Sequence, residues 1–522
     1  MDAPILSTET TKAILEEISN FKKSSTSEEQ FLLNEKVIIE TSSTWCRIIS
    51  KNSPSLDEYL YNNLAYQAEG FFYSSKYQNG VWDGYCRLYK PASKRFRIGL
   101  LHRTVTLLTA ANCTVELCTD RDIIEKGELK KDCFKNAEGK EIQLRYYQKI
   151  AIAQALQTRF GIIQAPPRSG KTLIATAIID SEEYFPVCFF VRSKDLAYQT
   201  QAVFNANFGA DKVGFICDGI SEISQINIIT IQSAYSAFNK KYIEKGLAVE
   251  KEIGNKAEVR KMLRNTQKVF VDECHHLLAK TSRFIMDRCD SANMKIGLSA
   301  TPFSEKEEAV LVEESVGPVF YQISYSDLIR DNFLMKPYIY MYKLPKLEVE
   351  GTYASIFKQA VVENTFLRAL VAQIVSKLNN LGKSVVIQTE HVKHSKELAK
   401  FLNCEYLTGA DPTEKREYIK AALNNKEILC LVSTLFEEGL DVPTLDYTIN
   451  LAGGLSNIST FQRMRSITAH ESKTTIGIID FMHQCKYLKK HSKKRYTLYT
   501  SEPEFIVEVR DVSKLTEQDL TL

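Results

Sequence analysis

The residue types best suited to chemistry stand in one short loop, Ala165-Pro166-Pro167-Arg168-Ser169-Gly170-Lys171-Thr172. It follows the apolar run Gly161-Ile162-Ile163-Gln164 and precedes a helix-forming stretch, Leu173 to Ile179. A loop ending in Gly-Lys-Thr between a strand and a helix is what a Walker A phosphate cradle requires. Its backbone N–H groups surround an anion at a helix N-terminus, where the dipole favours negative charge. Lys171 would reach the β- and γ-phosphates of ATP, Thr172 would ligate Mg²⁺, and Gly170 would let the backbone come close. Arg168 departs from the small residue usual at its place, and either projects from the loop or hinders it. Farther along, the apolar run Val269-Phe270-Val271 ends in Asp272-Glu273-Cys274-His275. An acidic pair at a strand end is the partner such a loop needs. Asp272 would hold Mg²⁺, usually through water, and Glu273 would polarise the attacking water.

Side chains of this kind need a sheet behind them, and the sequence supplies two. From Leu144 onward, short β-branched runs alternate with helical stretches: Gly161 to Gln164, Val187 to Val191, Ile226 to Ile231, Val269 to Val271 and Ile296 to Leu298. After Pro337 the alternation starts again, with Ser384 to Gln388, Ile428 to Val432, Tyr447 to Leu451 and Thr475 to Ile479. Continuous apolar runs separated by helices predict parallel sheets covered on both faces. The fold class is therefore α/β, with two doubly wound parallel-sheet domains in tandem. Ahead of them a small α+β unit is predicted. It has strands at Lys36 to Ile39 and Trp45 to Ile49 and a helix at Leu56 to Tyr66, followed by a β-hairpin with Trp82 near its tip. The turn residues Asn79-Gly80 and Asp83-Gly84 favour that hairpin because they tolerate positive φ. The charged stretch Lys240 to Gln267 reads as a solvated excursion.

Composition removes several classes. The chain has 522 residues, 44% hydrophobic and 25% charged, with 67 basic and 64 acidic side chains, a formal balance of +3. Collagen, disordered and coiled-coil classes do not fit these values. The near-neutral total argues against a tail-driven nucleic-acid binder, although a local basic groove fits inside it. The twelve cysteines include no C-x-x-C pair, which argues against a disulfide framework or a zinc site. No apolar run approaches the ~18 residues of a membrane span, and Met1 to Pro4 starts no secretory signal. The expectation is a cytoplasmic protein with no membrane partner and a monomer favoured.

With these motifs in place, residues 140–500 resemble superfamily 2 helicases. Asp272-Glu273-Cys274-His275 is similar to that family's D-E-x-H box, and Ser299-Ala300-Thr301 to the S-A-T motif that links the ATP site to the nucleic-acid groove. Leu144-Arg145-Tyr146-Tyr147-Gln148 resembles the segment whose Gln148 would contact adenine. Val191 to Gln199, with Arg192, and Thr230-Ile231-Gln232-Ser233 resemble strand-binding segments. In the second domain, Leu407-Thr408-Gly409, Ser433-Thr434 and Glu438-Gly439-Leu440-Asp441-Val442-Pro443 are family-like. Thr434 would meet the nucleic-acid backbone, and Gly439 and Asp441 the nucleotide. The stretch Tyr77 to Leu101, with Gly80-x-Trp82-Asp83-Gly84-x-x-Arg87-Leu88, is similar to the leading domain of phage UvsW-type helicases. The resemblance implies RecA-like motor domains with ATP in the cleft between them. It also implies a motor that remodels branched DNA (Holliday junctions, forks, D- and R-loops) in replication, recombination and repair. The expected organisation is a polar leader (1–34), a DNA-binding domain (35–135), a first motor domain (140–330), a linker (331–350), a second motor domain (351–500) and a tail (501–522). Trp82 and Arg87 would contact DNA from the hairpin. Lys490, Lys494 and Arg495 would contact it from a segment, Lys486 to Arg495, that packs six cations into ten residues.

One motif departs from the pattern. The family's last motif reads Q-x-x-G-R-x-x-R, with Gln and both Arg on one helical face. Here it is Gln462-Arg463-Met464-Arg465-Ser466-Ile467-Thr468-Ala469, so Ser466 and Ala469 replace the arginines, while Arg465 stays near the Gln462 face. Arg465 acts as the finger from a shifted register, or another arginine does, or hydrolysis is slow and ATP gates binding. The rival functions are an RNA helicase, a restriction-type translocase, and an ATP-gated clamp on DNA junctions. Replacing Arg465 with alanine separates the explanations. An ATPase loss of roughly 10³–10⁵-fold, the worth of an arginine finger, is the expected result; near-wild-type turnover would exclude Arg465.

Overall fold

The computed structural model describes residues 33–50, 53–68, 70–119, 127–238, 256–303, 306–435, 442–452 and 476–512. It divides into two compact units, Met1–Gln164 with Gly170–Gln322, and Ala165–Ser169 with Ile323–Leu522.

The first unit opens with a small sheet of β1 (Lys36–Thr41), β2 (Trp45–Ile48), β5 (Arg95–Arg97) and β6 (Thr114–Thr119), in the order β5-β2-β1-β6. Alternation decides its two faces. Val37, Ile39, Cys46, Ile48 and Phe96 are buried, while Arg47 and Arg95 point to solvent. Helices Pro54–Asn63 and Leu101–Ala110 cover the buried face through Leu56, Leu60 and Leu108. The first is capped by Ser53, whose Oγ accepts from the Leu56 N–H at 3.2 Å.

The expected hairpin takes another form. β3 (Ala65–Gln67) pairs with β4 (Tyr85–Arg87), and the intervening Phe71–Tyr73 and Ser75–Gln78 are short helical turns, not strand. Aromatic packing bends the chain there: Phe71 lies edge-on to Tyr77, with centroids 4.7 Å apart. At Gly84, φ is +85° and a Cβ would fall 2.7 Å from the Phe71 ring.

The next strands, in chain order, are a hairpin β7 (Cys133–Lys135) and β8 (Glu141–Gln143), then β9 (Phe160–Gln164), β10 (Val187–Val191), β11 (Val213–Cys217), β12 (Ile220–Glu222), β13 (Ile226–Thr230), β14 (Lys268–Asp272), β15 (Met294–Ser299) and β16 (Val319–Gln322). β9 to β16 form one sheet ordered β12-β11-β13-β10-β14-β15-β9-β16, parallel except for β12. β10 and β13 are buried at every residue, as their unbroken apolar sequences require. The helix Lys256–Asn265 corrects the solvated reading of its stretch: Val259, Met262 and Leu263 are buried in the core. The leading sheet docks on this domain through Gly99, where a Cβ would fall 1.9 Å from the Glu313 carbonyl oxygen. Arg97 pairs beside it with Asp287, and Arg103 with Glu313 at 2.7 Å.

The second unit holds β17 (Tyr338–Lys343), β18 (Val385–Gln388), β19 (Glu405–Leu407), β20 (Cys430–Ser433), β21 (Tyr447–Asn450), β22 (Gly477–Met482) and β23 (Ile506–Asp511). They form a parallel sheet ordered β19-β20-β18-β21-β22-β17-β23. Two expectations are corrected here. The linker contains β17, whose Ile339, Met341 and Tyr342 are fully buried, and the tail contributes β23, paired along all of β17.

Arg495 is a third correction. On the helix Leu488–Thr500 it is buried, and it grips Asp480 of β22 with Nε to Oδ2 at 2.7 Å and Nη2 to Oδ1 at 2.8 Å. Tyr499 and Asn450 also donate to Asp480. Burial alone would raise the Asp480 pKa, but Arg495 and these donors hold it below the usual carboxylate range. Arg495 therefore fixes the helix to the sheet, with its guanidinium buried and used by Asp480. Arg495→Ala leaves a buried carboxylate unpaired and should destabilise the second unit by about 3–5 kcal/mol, read by denaturant unfolding. A loss below about 1 kcal/mol would contradict the assignment.

Candidate functional site

The phosphate loop leaves β9 and enters the helix Lys171–Ser181, which buries Ile174, Ala175, Ala177, Ile178 and Ile179. Arg168 and Gly170 are left-handed, with φ +64° and +82°. Gly170 occupies the N-cap position, and no side chain caps that helix end. A Cβ at Gly170 would fall 2.3 Å from Gln148 Nε2, so Gln148 lies directly against the loop. Gln148 is buried, and its Oε1 accepts from the Arg145 N–H at 2.9 Å. The residues expected at adenine and at phosphate are thus neighbours.

Asp272 ends β14, opposite Leu298 of β15, so Ser299 begins one residue past it on the adjacent strand. Glu273 then turns left-handed at φ +48°, a conformation that costs a non-glycine residue roughly 1–2 kcal/mol. That turn aims its carboxylate back at the sheet. Ser299 Oγ donates to Glu273 Oε2 at 3.2 Å, accepts from the Thr301 N–H at 3.2 Å, and meets His275 Nδ1 at 3.3 Å. The single hydroxyl proton goes to Glu273, so His275 Nδ1 must carry a hydrogen and donate. Glu273, His275, Ser299 and Thr301 are all buried. Burial first, then the charges of Arg192 and Lys171, lower the His275 pKa to about 4. The imidazole is neutral at pH 7.

Beyond His275, Arg192 Nη1 lies 3.2 Å from His276 Nε2. Both line a cleft of about 870 Å³, together with Lys194, Thr230, Gln232 and Asp272. The cleft opens at the carboxyl ends of β10, β13 and β14, where ligands bind in open α/β sheets. Thr230 is buried and caps the helix Ile231–Phe238: its Oγ1 accepts from the Ser233 N–H at 3.2 Å and donates to Ser233 Oγ at 2.8 Å. Gln232 and Arg192 are exposed. The sequence motifs do not single out His276; its place beside the D-E-x-H residues is the signal that points to it.

Other expected site residues lie elsewhere. The Arg87 guanidinium pairs with Asp83, four residues before it, and sits over Tyr61 at 5.0 Å. Trp82 is half-buried, and its Nε1 donates to the Tyr85 carbonyl at 2.7 Å, tying the tip together. Lys490 is exposed on the helix Leu488–Thr500, with Lys494 partly so. Thr434 follows β20, its N–H donating to Leu407 O at 3.2 Å. Gly439, Asp441, Gln462 and Arg465 lie outside the described residues.

Comparison with known proteins fits this geometry. Residues 141–304 match the model of the type III restriction enzyme res subunit, and residues 366–466 that of the helicase conserved C-terminal domain. This chain belongs to the superfamily 2 helicases. It resembles UvsW: the ATP-dependent DNA helicase uvsW of Enterobacteria phage T4 is 22% identical over 465 residues, covering 83% of this chain and 88% of that protein. The DNA 3'-5' translocase XPB2 of Sulfurisphaera tokodaii is 24% identical over 386 residues, 65% of this chain and 81% of that one. The crystal structure of T4 UvsW covers 91% of this chain and 99% of its own, with a TM-score of 0.45 and 19% identity. The helicase is thus an ATP-hydrolysing enzyme of this superfamily, and ATP use follows from the family. Lys171 at the uncapped helix end, the Thr172 hydroxyl and the Asp272 carboxylate are the groups that would hold a magnesium–phosphate group. Among the described residues, no helix is long and apolar enough to cross a membrane.

The depressed His275 pKa sets a pH dependence. The unfolded chain takes up this proton first, so stability falls as pH drops from about 6.5 towards 4. His275→Gln should flatten part of that decline in denaturant unfolding; His394 and His483, also lowered to about 4, account for more of it. An unchanged slope would contradict the buried neutral state.

Proposed function

We propose that this helicase is an ATP-driven DNA translocase that remodels branched DNA: Holliday junctions, replication forks, and D- or R-loops. The observation that carries the reading is the buried chain Glu273–Ser299–His275, whose imidazole packs 4.1 Å from the ring of His276, a wall of the cleft that Arg192, Thr230 and Gln232 also line. In this reading, Lys171, Thr172 and Asp272 hold MgATP while Glu273 orients the attacking water. In the same reading a change at Glu273 passes through the Ser299 hydroxyl and the His275 imidazole to His276 at the cleft wall. Contacts in the cleft grip a backbone, and motion of the motor domains moves it.

The branched-DNA part draws on the relation to uvsW. The aligned 83% of this chain is a larger share than both motor domains hold, so the match reaches the leading domain. The reading extends to a role in phage replication, recombination and repair, which the relation to uvsW supports. The missing arginines at Ser466 and Ala469 favour slow turnover as the second reading, with ATP gating a hold on junctions.

Steady-state ATPase measured with branched DNA, single-stranded DNA and RNA tests the reading. Branched DNA should stimulate most, and Lys171→Ala should abolish hydrolysis with every substrate. Strong preference for RNA would overturn the substrate class, and full activity in Lys171→Ala would overturn the ATP site.

A further inference from the structure

The exposed face of the leading sheet carries a row of like charges. Arg47 of β2 stands directly opposite Arg95 of β5, and Arg95 in turn stands opposite Lys90 across an isolated bridge. Three cations therefore lie side by side on adjacent strands, and all three are exposed. Among the described residues, neither the Arg47 nor the Arg95 side chain has an ion-pair or hydrogen-bond partner. The next position in the row, opposite Arg47, is Glu40 on β1. Lys90 also acts on the buried carboxyl of Glu314, so Arg47 and Arg95 carry most of the free charge. Like charges facing each other across strands are destabilising. A fold that keeps them without an acceptor presents them to something outside the chain.

We propose that this row is a duplex-DNA backbone contact, in which Arg47, Arg95 and Lys90 bind phosphates. The inference rests on the DNA reading above and names where the leading domain touches its track. Charge complementarity selects a polyanion. The neighbouring aromatic argues for a backbone contact: the Trp45 ring already has Lys90 Nζ at 4.6 Å and Arg97 Cζ at 4.1 Å from its centroid. It is engaged by cations and not offered to unpaired bases, whose binding needs open stacking platforms. Lys90 and Arg95 of the row lie in the segment Tyr77 to Leu101, where Arg87 pairs with Asp83 and Arg97 with Asp287, and Arg47 joins them from β2.

The test uses the full chain and a linear duplex of mixed sequence, with affinity measured at stepped salt concentrations. Arg47→Ala/Arg95→Ala should weaken binding and reduce the slope of log affinity against log salt by about 1 for each phosphate no longer neutralised. ATPase without DNA should be unchanged, because neither residue lies in the ATP site. Melting temperature should equal or exceed that of the wild type, because a repulsion has been removed. Glu40→Gln, which deletes the neighbouring carboxylate, should tighten duplex binding. Equal affinity and slope in the double variant and the wild type would overturn the row and leave the DNA reading standing. A wild-type chain that binds no duplex would overturn both.

Discussion

The hydrogen bond from Ser299 to Glu273 is the contact around which the carboxyl edge of the first sheet is built. It exists because β14 and β15 run parallel and in register, so that the last residue of one and the residue after the other meet at the same edge. It also needs the turn after Glu273, with Cys274, to lie close on β15. Gly297 provides that, since a Cβ there would fall 2.9 Å from Cys274 Sγ. The left-handed turn at Glu273 is the cost of aiming a carboxylate inward at the end of a buried strand. Removing water from this edge strengthens each hydrogen bond in the chain from Glu273 to His275 and keeps the imidazole neutral. A neutral imidazole relays position without adding charge beside the phosphate cradle.

The same logic, a buried polar contact at the carboxyl edge of a parallel sheet, recurs in the second unit with a different purpose. Asp480 and Arg495 form a bidentate pair fully out of solvent, closed by Tyr499 and Asn450. Neither charge is exposed, so the pair orients the helix Leu488–Thr500 and leaves Lys489, Lys490 and Lys493 on its outer side. A stretch of six cations thus divides by burial into one structural arginine and a set of exposed lysines.

That division refines the meaning of the near-neutral total charge. Several cations that look available for nucleic acid are consumed inside the chain: Arg87 by Asp83, Arg97 by Asp287, Arg103 by Glu313 and Arg495 by Asp480. Arg97 and Arg103, with Gly99, hold the leading sheet against the first motor domain, so a basic sequence patch there serves docking. The unpaired charge stands beside it, at Arg95 on the same strand as Arg97 and at Arg47 on the neighbouring strand.

The sequence by itself determined the two α/β domains, the phosphate loop and the acidic strand end. Each of these is a local pattern: an unbroken apolar run, a Gly-Lys-Thr turn, or a pair of carboxylates after a strand. Gln148 was legible as a site residue, but not its packing against Gly170. Tyr338 to Lys343 and Ile506 to Asp511 were not legible as strands, because an edge strand and its neighbour at the ends of a domain look like linker and tail until they pair. Tertiary structure alone decided which charges are free. An arginine's availability depends on whether a carboxylate distant in sequence reaches it, as Asp287 reaches Arg97. Cross-strand register, which sets Arg47 opposite Arg95, is fixed by pairing between segments far apart in the chain, and no local pattern encodes it.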